Sequence, residues 1–559
     1  MTRPFARRTR PLRLAQGVGA LAAALAVIVA GAMPAAAHGD QHTHANKVQQ
    51  EYHEGTSVPL VSSPNVNFVT NFPETQAISG CFAKTAPYFY ISSLDSLSVF
   101  DISNPTQPRL TGTLDNVAFE NEAMTCGERK AGKGTNKHTE RFVLIGVDLH
   151  QASSDDLAHV NTGDGQELVI IDVTDPSNPT IRSRASATTS THTVACVDDT
   201  DCRYAYTAGN DGDNGTGSFT IFDLTDLDNP HEVDSDPSTA KVDPFASPTA
   251  AHKWNFDEAG YGTHTGYDGS SIFDVSDPLH PKLITTTGKA GTGTDPDYPG
   301  YNDFIHHNSF RPNAEAFKPN SPPSYENGNV LLVTEEDYLE TDCSKAGSFQ
   351  AWHVTALDGT PGAVMPLDKV ELADLGNFAV PDYAFCSAHW FDYHPSGIIT
   401  VGFYGGGMQL VDARDPQDLK AYGHATWPGS EVWDAYWVPD FEEKSRSGGV
   451  GTGGLTNIVY TVDLVRGLDV YTVDLPKQSS ESLLSSSTDD AAVVGFETGG
   501  QPLQASGQLT DSTQTSVQAR AVDLDPGWLP GSSYGAVLGG LLLVGAGYGV
   551  ARRRRSRPV

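Results

Sequence analysis

Four histidines and one glutamate share a spacing. His192, His252, His306 and His389 stand four residues before Cys196, Phe256, Phe310 and Tyr393, and Glu122 stands four before Cys126. Ala77 and Trp433 hold the same place before Cys81 and Trp437. Imidazole is the commonest side-chain ligand of zinc and copper, and a carboxylate serves such a set as a further ligand or a base. Were seven like strands to run beside one axis, these positions would face one another and gather four of the chain's 18 histidines. An ion there would polarise a substrate or lower the pKa of a bound water. The competing reading is a set of histidines hydrogen-bonded across a channel with no ion. In "HHNSF", His307 is the alternative inward member, whereas His264 in "YGTHTGYDG" and His394 in "DYHPSG" read as loop residues.

A second cluster lies near the N-terminus. If a leader is removed after Ala37, the chain begins "HGDQHTH", and His38 offers its amine and Nδ1 together to copper with His42 and His44 close by. The alternative is an idle polar tail. "NDGDNG" (210–215) resembles a calcium loop, but Gly215 stands where a ligand is required, so it reads as a hairpin turn. GxSxG, HExxH, P-loop and CxxC patterns are absent, so the familiar hydrolase, zincin, nucleotide and dithiol signatures are missing.

The elements that would position the histidines are written in a repeated phrase. "LVIIDVTDPSNPTI" (168–181) returns as "LSVFDISNPTQPRL" from Leu97, "FTIFDLTDLDNPHEV" from Phe219, "SSIFDVSDPLHPKLI" from Ser271 and "MQLVDARDPQDLKAY" from Met408. Weaker copies start at Phe349, where the Asp is lost, and at Leu468. The equivalent positions Asp101, Asp172, Asp223, Asp274, His353, Asp412 and Thr472 lie 71, 51, 51, 79, 59 and 60 residues apart. Seven units of one supersecondary pattern with loop insertions predict an all-β, seven-bladed β-propeller. Val169, Ile170 and Ile171 form a β-branched run suited to a strand covered on both faces. "DPxxP" then stops it, because proline lacks an N–H and aspartate accepts backbone N–H groups in an Asx-turn. The phrase is therefore architectural.

With its siblings, "LVIIDVTDP" resembles the LVIVD repeat proteins, a family of secreted β-propellers many of which carry interchangeable C-terminal anchors. The stretches "CSAHWFDYHPSGIITVGFYGGGMQLVDARDP" and "NIVYTVDLVRGLDVYTVDLP" add to the resemblance, which spans roughly residues 68–475. It implies the fold and a surface location, and it implies no activity. The fifth copy departs from the pattern.

The ends carry address information. Five arginines precede an apolar run at 18–32 and "PAAA", which reads as a signal peptide (1–37) on the Sec or twin-arginine route. Residues 534–551 are uncharged and are followed by "RRRRSRPV", the pattern of a transmembrane helix (532–551) with a cytoplasmic basic tail (552–559). "LPGSS" resembles a sortase motif only in its first two letters. Residues 477–531, rich in Ser, Thr, Gln and Asp, read as a flexible stalk, and 38–67 as a His-containing N-terminal segment. Without the ten terminal arginines, 26 basic residues face 69 acidic ones, a field that repels nucleic acid and anionic lipid. Six cysteines in an exported chain predict disulfides. Cys196 and Cys202 flank "VDDTD" at a spacing that closes a hairpin; Cys81 with Cys126 and Cys343 with Cys386 are the simplest remaining pairs.

These features describe a propeller over residues 68–476, monomeric and held at the extracellular face of the cell membrane. As a binding or scaffolding module it would meet an extracellular protein, a carbohydrate or a small molecule, and no nucleic acid. The alternative is a copper- or zinc-dependent enzyme using His192, His252, His306, His389 and Glu122.

Overall fold

The run Leu168–Ile171 lies within a strand, Glu167–Asp172, flanked by His138–Val147 on one side and Thr180–Ser186 on the other. Its four apolar residues are fully buried, and they divide by parity. Val169 and Ile171 pack with Val99, Leu97 and Tyr90 of the preceding repeat, while Leu168 and Ile170 pack with Val194, Ala205 and Phe222 of the following one. Alternation across a strand sends successive side chains to opposite faces, and here both faces are covered by neighbours, so the run has no polar side.

The computed structural model describes residues 60–476, apart from short interior stretches of which the longest are 148–166, 289–297, 377–385 and 442–453. They belong to the first of two compact units, Met1–Ser482. The leader, His38, His42 and His44, the "NDGDNG" loop, the stalk and the apolar run at 534–551 lie outside the described residues. No helix among the described residues is long and apolar enough to cross a membrane.

Among the described residues, beside a separate two-stranded pair of Ser218–Phe219 and Phe245–Ala246, the strands group into seven antiparallel units of four. Their inner strands are Ser79–Phe82, Thr125–Ala131, Thr193–Cys196, Ala250–Phe256, Ile305–Phe310, Phe391–Tyr393 and Val432–Pro439. The repeated phrase supplies the third strand of each. Units four and five share a sheet through a single pairing, Tyr267 with Ile305. The outer strand of unit seven comes from the other end of the chain: Val66–Phe72 pairs with Gly467–Val473 from Val66 opposite Val473 to Phe72 opposite Leu468. Val61–Ser62 adds a short fifth strand to unit six.

Seven hydrophobic clusters lie between the units, one for each neighbouring pair. The first joins units one and two, and the last joins unit seven to unit one, with Tyr460, Val462 and Val470 against Phe89, Ile91 and Phe100. The turns after the phrase add to the lock: the Tyr206 hydroxyl donates to the Pro278 carbonyl at 2.6 Å, and the Tyr460 hydroxyl donates to that of Pro105 at 2.7 Å. The aspartates act as expected. Asp101, Asp172, Asp223, Asp274 and Asp412 each accept the backbone N–H two residues on, at 2.8–3.2 Å. In unit five His353 holds that place and bonds through Nε2 to the Ser321 carbonyl instead. This is the architecture of a β-propeller.

All three expected disulfides are present. Cys196–Cys202 closes the hairpin of unit three, whereas Cys81–Cys126 ties unit one to unit two and Cys343–Cys386 ties unit five to unit six.

Candidate metal centre

Four of the seven inner strands among the described residues, those of units four to seven, carry a local irregularity beside the candidate residue. In Ala250–Phe256, Ala251 faces Gly266 and Lys253 faces Thr265, which leaves His252 as the extra residue of a bulge. In Ile305–Phe310, His306 faces Glu335 and Asn308 faces Thr334, leaving His307. In Val432–Pro439 the extra residue is Trp433. Unit six behaves alike: the His389 N–H donates to the Gly402 carbonyl at 2.8 Å, while the Gly402 N–H donates to that of Trp390 at 2.9 Å. A bulge takes a residue out of the ladder and re-aims its side chain. Here it turns a ring of side chains toward the axis.

Those side chains meet on one oxygen. Glu122 Oε2 lies 3.2 Å from His192 Nε2, 3.1 Å from His252 Nε2, 3.2 Å from His307 Nε2 and 3.7 Å from His389 Nε2. Glu336 approaches from the second strand of unit five, with Oε2 3.7 Å from His307 Nε2 and Oε1 accepting the Tyr404 hydroxyl at 2.7 Å. Glu122, His307, Glu336 and His389 have no exposed surface, and His192 and His252 have 4–5%. Trp433 and Ala77 fill the remaining positions of the ring and are fully buried.

Of the expected set, His192, His252, His389 and Glu122 are brought together and His306 is not. His306 keeps its ladder pairing, bonds through Nδ1 to the Ser270 hydroxyl at 2.8 Å, and sets its ring against Trp352. The adjacent His307 takes the axial place. A constant four-residue spacing fails in this strand because the bulge falls three residues before Phe310 and four before Phe256. His264 is likewise not a loop residue: it sits in the strand Tyr261–Tyr267, fully buried, stacked on Trp254 and bonded to the Ser247 hydroxyl. His394 does lie outside the strands, at a turn. Glu336 and Tyr404 escape a search by spacing because they come from second strands or beyond. The signal available was two glutamates closing an otherwise apolar strand, "VLLVTEE".

Burial pushes His252 down to about 4 and outweighs the pull of Glu122; it drives His307 well below and His389 below the usual histidine range. Burial also opposes ionisation of Glu122, but its interactions with His192 and His252 prevail and hold it well below the usual carboxylate range. Burial, with repulsion from Glu122, raises Glu336 well above that range.

His389 fixes the chemistry of the site. Its Nδ1 lies 2.7 Å from the Trp433 carbonyl, which can only accept, so the ring proton is on Nδ1. In the neutral imidazole Nε2 then carries a lone pair, and it faces the Glu122 carboxylate with no hydrogen-bond donor of its own. A lone pair aimed at a carboxylate is repulsive unless a cation lies between them. Ligating histidines characteristically donate the other ring N–H to a backbone carbonyl or carboxylate. Ligand bonds of about 2.0–2.1 Å place neighbouring donors roughly 2.9–3.4 Å apart in tetrahedral or octahedral shells. The separations of 3.1–3.2 Å about Glu122 Oε2 lie in that range.

Two predictions arise here. Gly146 lies in His138–Val147 where an added Cβ would sit 1.8 Å from the carbonyl oxygen of Thr191, the residue before His192. Gly146→Ala is expected to cost about 1–3 kcal/mol of stability in thermal unfolding, as overpacking does, and to displace His192.

Acid is expected to be a second perturbation. Burial pushes His264 and His306 to about 3 and His252 to about 4, so the fold keeps them neutral while the unfolded chain protonates near 6.5. Their contribution is lost as pH falls from about 6.5 toward 3–4. Burial raises Asp392 and Asp434 to about 7 and Asp463 to about 6, which works in the opposite sense over pH 7 to 4 and offsets much of that loss, while the lowered His307 and His389 and the low-held Glu122 add to it. Denaturant titrations are expected to show stability lower at pH 4 than at pH 7. Equal stability at both would contradict neutral buried histidines.

Residues 87–116 and 158–186 match the model of the LVIVD repeat. No functionally curated protein matches the chain by sequence. Among solved structures it is similar to the Cps50 (Swd1) β-propeller domain of Myceliophteria thermophila, at 10% identity and a TM-score of 0.42, over 73% of this chain and 100% of that one. It is similar to Sqt1 of Saccharomyces cerevisiae at 11% identity and 0.41, over 74% and 99%. A functionally unknown protein of Desulfotomaculum acetoxidans DSM 771 follows at 7% and 0.38, over 64% and 90%. The phrases that begin at Leu97 and Leu168 both fall inside the two family matches, and the chain is an LVIVD repeat-containing protein.

Proposed function

We propose that this is a surface-anchored binding module, a seven-bladed propeller pinned at its axis by one zinc or copper ion. The observation that carries the pinned axis is His389, whose unprotonated nitrogen points at the Glu122 carboxylate. His192, His252, His307, His389 and Glu122 would hold the ion, with Glu336 behind them, steadied by Tyr404. These residues come from units two to six, so one ion would tie five neighbours together. Five protein donors leave little of a coordination sphere open, whereas catalytic zinc keeps a position for water. The ion therefore serves as a structural hub, which favours a binding module over the metal-dependent enzyme.

Elemental analysis of protein purified without chelator tests this reading. One zinc or copper per chain is expected, falling below a tenth of that in Glu122→Ala. A metal-free wild-type protein that stays metal-free after zinc is added would leave the ring pinned by hydrogen bonds alone. Surface placement rests on the leader, the stalk and the apolar run before the arginines. Protease added to intact cells is expected to release the propeller, and complete protection would place it elsewhere.

A further inference from the structure

A cavity of about 360 Å³ lies in the channel beside the metal centre and lacks all five ligands in its wall. Its wall uses the next residues along the inner strands: Lys253 after His252, Asn308 after His307, Trp390 after His389 and Asp434 after Trp433. Trp390 divides the two spaces. One side of its ring lies 4.2 Å from the His307 ring, and Lys253 Nζ sits 3.8 Å from its centroid. The volume is at the small end of ligand pockets, which span about 300–1,000 Å³.

The buried side-chain atoms of this wall that lack any partner are donors. The carboxylates are already met by donors: Asp392 accepts the N–H groups of Tyr393 and Trp437, each at 2.9 Å, and Asp434 accepts the Ala435 N–H at 2.7 Å and the Tyr436 hydroxyl. The donors are not met. Among the described residues Lys253 has no carboxylate within ion-pair distance; its ammonium lies on the face of Trp390, and Asp434 and Glu122 attract it from farther off. The indole N–H groups of Trp390 and Trp437, residues only 1–2% exposed, have no acceptor. A buried donor without a partner costs about 1–3 kcal/mol, so a wall with two of them beside a lysine ammonium is complementary to an acceptor-rich, anionic group. Phe82, Phe310 and Met124 give the rest of the wall apolar surface, beside polar residues such as Asn255 and Ser309.

We propose that this cavity is the module's ligand site and takes a small monocarboxylate with an apolar ring. The carboxylate pairs with Lys253 and accepts from the indoles, and the ring packs on the aromatic wall. This rests on the reading of the protein as a binding module and not on the identity of the ion.

Titration calorimetry of the full chain with benzoate, benzylamine and benzyl alcohol tests it. Benzoate is expected to bind at least tenfold more tightly than either of the others. Lys253→Met is expected to remove that preference and Lys253→Arg to retain it. Equal affinity for the three probes, tighter binding of benzylamine, or no heat with benzoate overturns the proposal in the wild-type protein alone, whatever becomes of the variants. Metal measured in the same samples separates the two readings. Metal without benzoate preference removes the ligand site and leaves the pinned axis; benzoate preference without metal does the reverse.

Discussion

If the proposed ion is bound, stripping it with a strong chelator is expected to lower the unfolding midpoint by roughly 5–10 °C and one equivalent of zinc to restore it. A ligand that binds only the folded state stabilises it by about 4 kcal/mol at a thousand times its Kd. A domain of several hundred residues shifts by about 2 °C per kcal/mol. Without the ion, the site holds the lone pair of His389 against Glu122, and neither group reaches water. His389→Ala removes one ligand and that repulsion together. Its chelator-dependent shift is expected to shrink to less than half, while its metal-free midpoint stays close to that of metal-free wild type. A wild-type midpoint indifferent to chelator would mean that the imidazoles satisfy one another and the axis needs no ion.

Deleting residues 60–73 is expected to cost more, with the midpoint lowered by at least 15 °C or the protein recovered only as aggregate. That segment contains Val66–Phe72, the outer strand of unit seven, and its loss bares the edge of Gly467–Val473 along its whole length. An unpaired strand edge is a template for association with other chains. Packing is lost with it: Val66 belongs to the cluster between units six and seven, and Phe72 lies against the one between seven and one. So is a polar contact, because Asn71 donates to the Asp469 carboxylate at 2.8 Å, and Asp469 also holds the buried Arg466. Size-exclusion chromatography with a thermal melt reads the outcome. A monomeric deletion variant that melts with wild type would show that the ring stays closed without its N-terminal strand.

Much of this architecture was legible because it repeats. The phrase at Leu168 names its own strand, its buried status on both faces and the Asx-turn that ends it, and seven copies count the units. The Cys196–Cys202 pair was legible from its spacing, whereas for the other four cysteines the sequence named only the simplest pairing, which is the one formed. The copy at Phe349 kept the strand and lost the aspartate, and the structure keeps the unit with His353 in its place. The axial residues were legible only to within one position. Whether His306 or His307 faces the axis depends on where a bulge interrupts the ladder, and that is set by pairing with Glu335 and Thr334 on another strand. Glu336, Tyr404 and the cavity donors arise where distant strands meet, and no local pattern of residues marks such a meeting. Lys253 shows this best: beside His252 it reads as an ordinary strand lysine, and only the face of Trp390, 137 residues away in sequence, gives its charge a setting.

The pairing of Val66–Phe72 with Gly467–Val473 also orders events in time. Synthesis runs from the N-terminus, so the strand that leaves the ribosome first must wait for some 400 further residues before its partner exists. Closing so long a loop is entropically unfavourable and slow, and non-local strand pairings are the slowest to form. Each earlier unit can meet its successor as it emerges, but the circle is completed only when the repeat is finished. A truncated product is therefore left with a lone N-terminal strand and an open last sheet, both exposed to degradation, whereas the complete chain hides both in a single step.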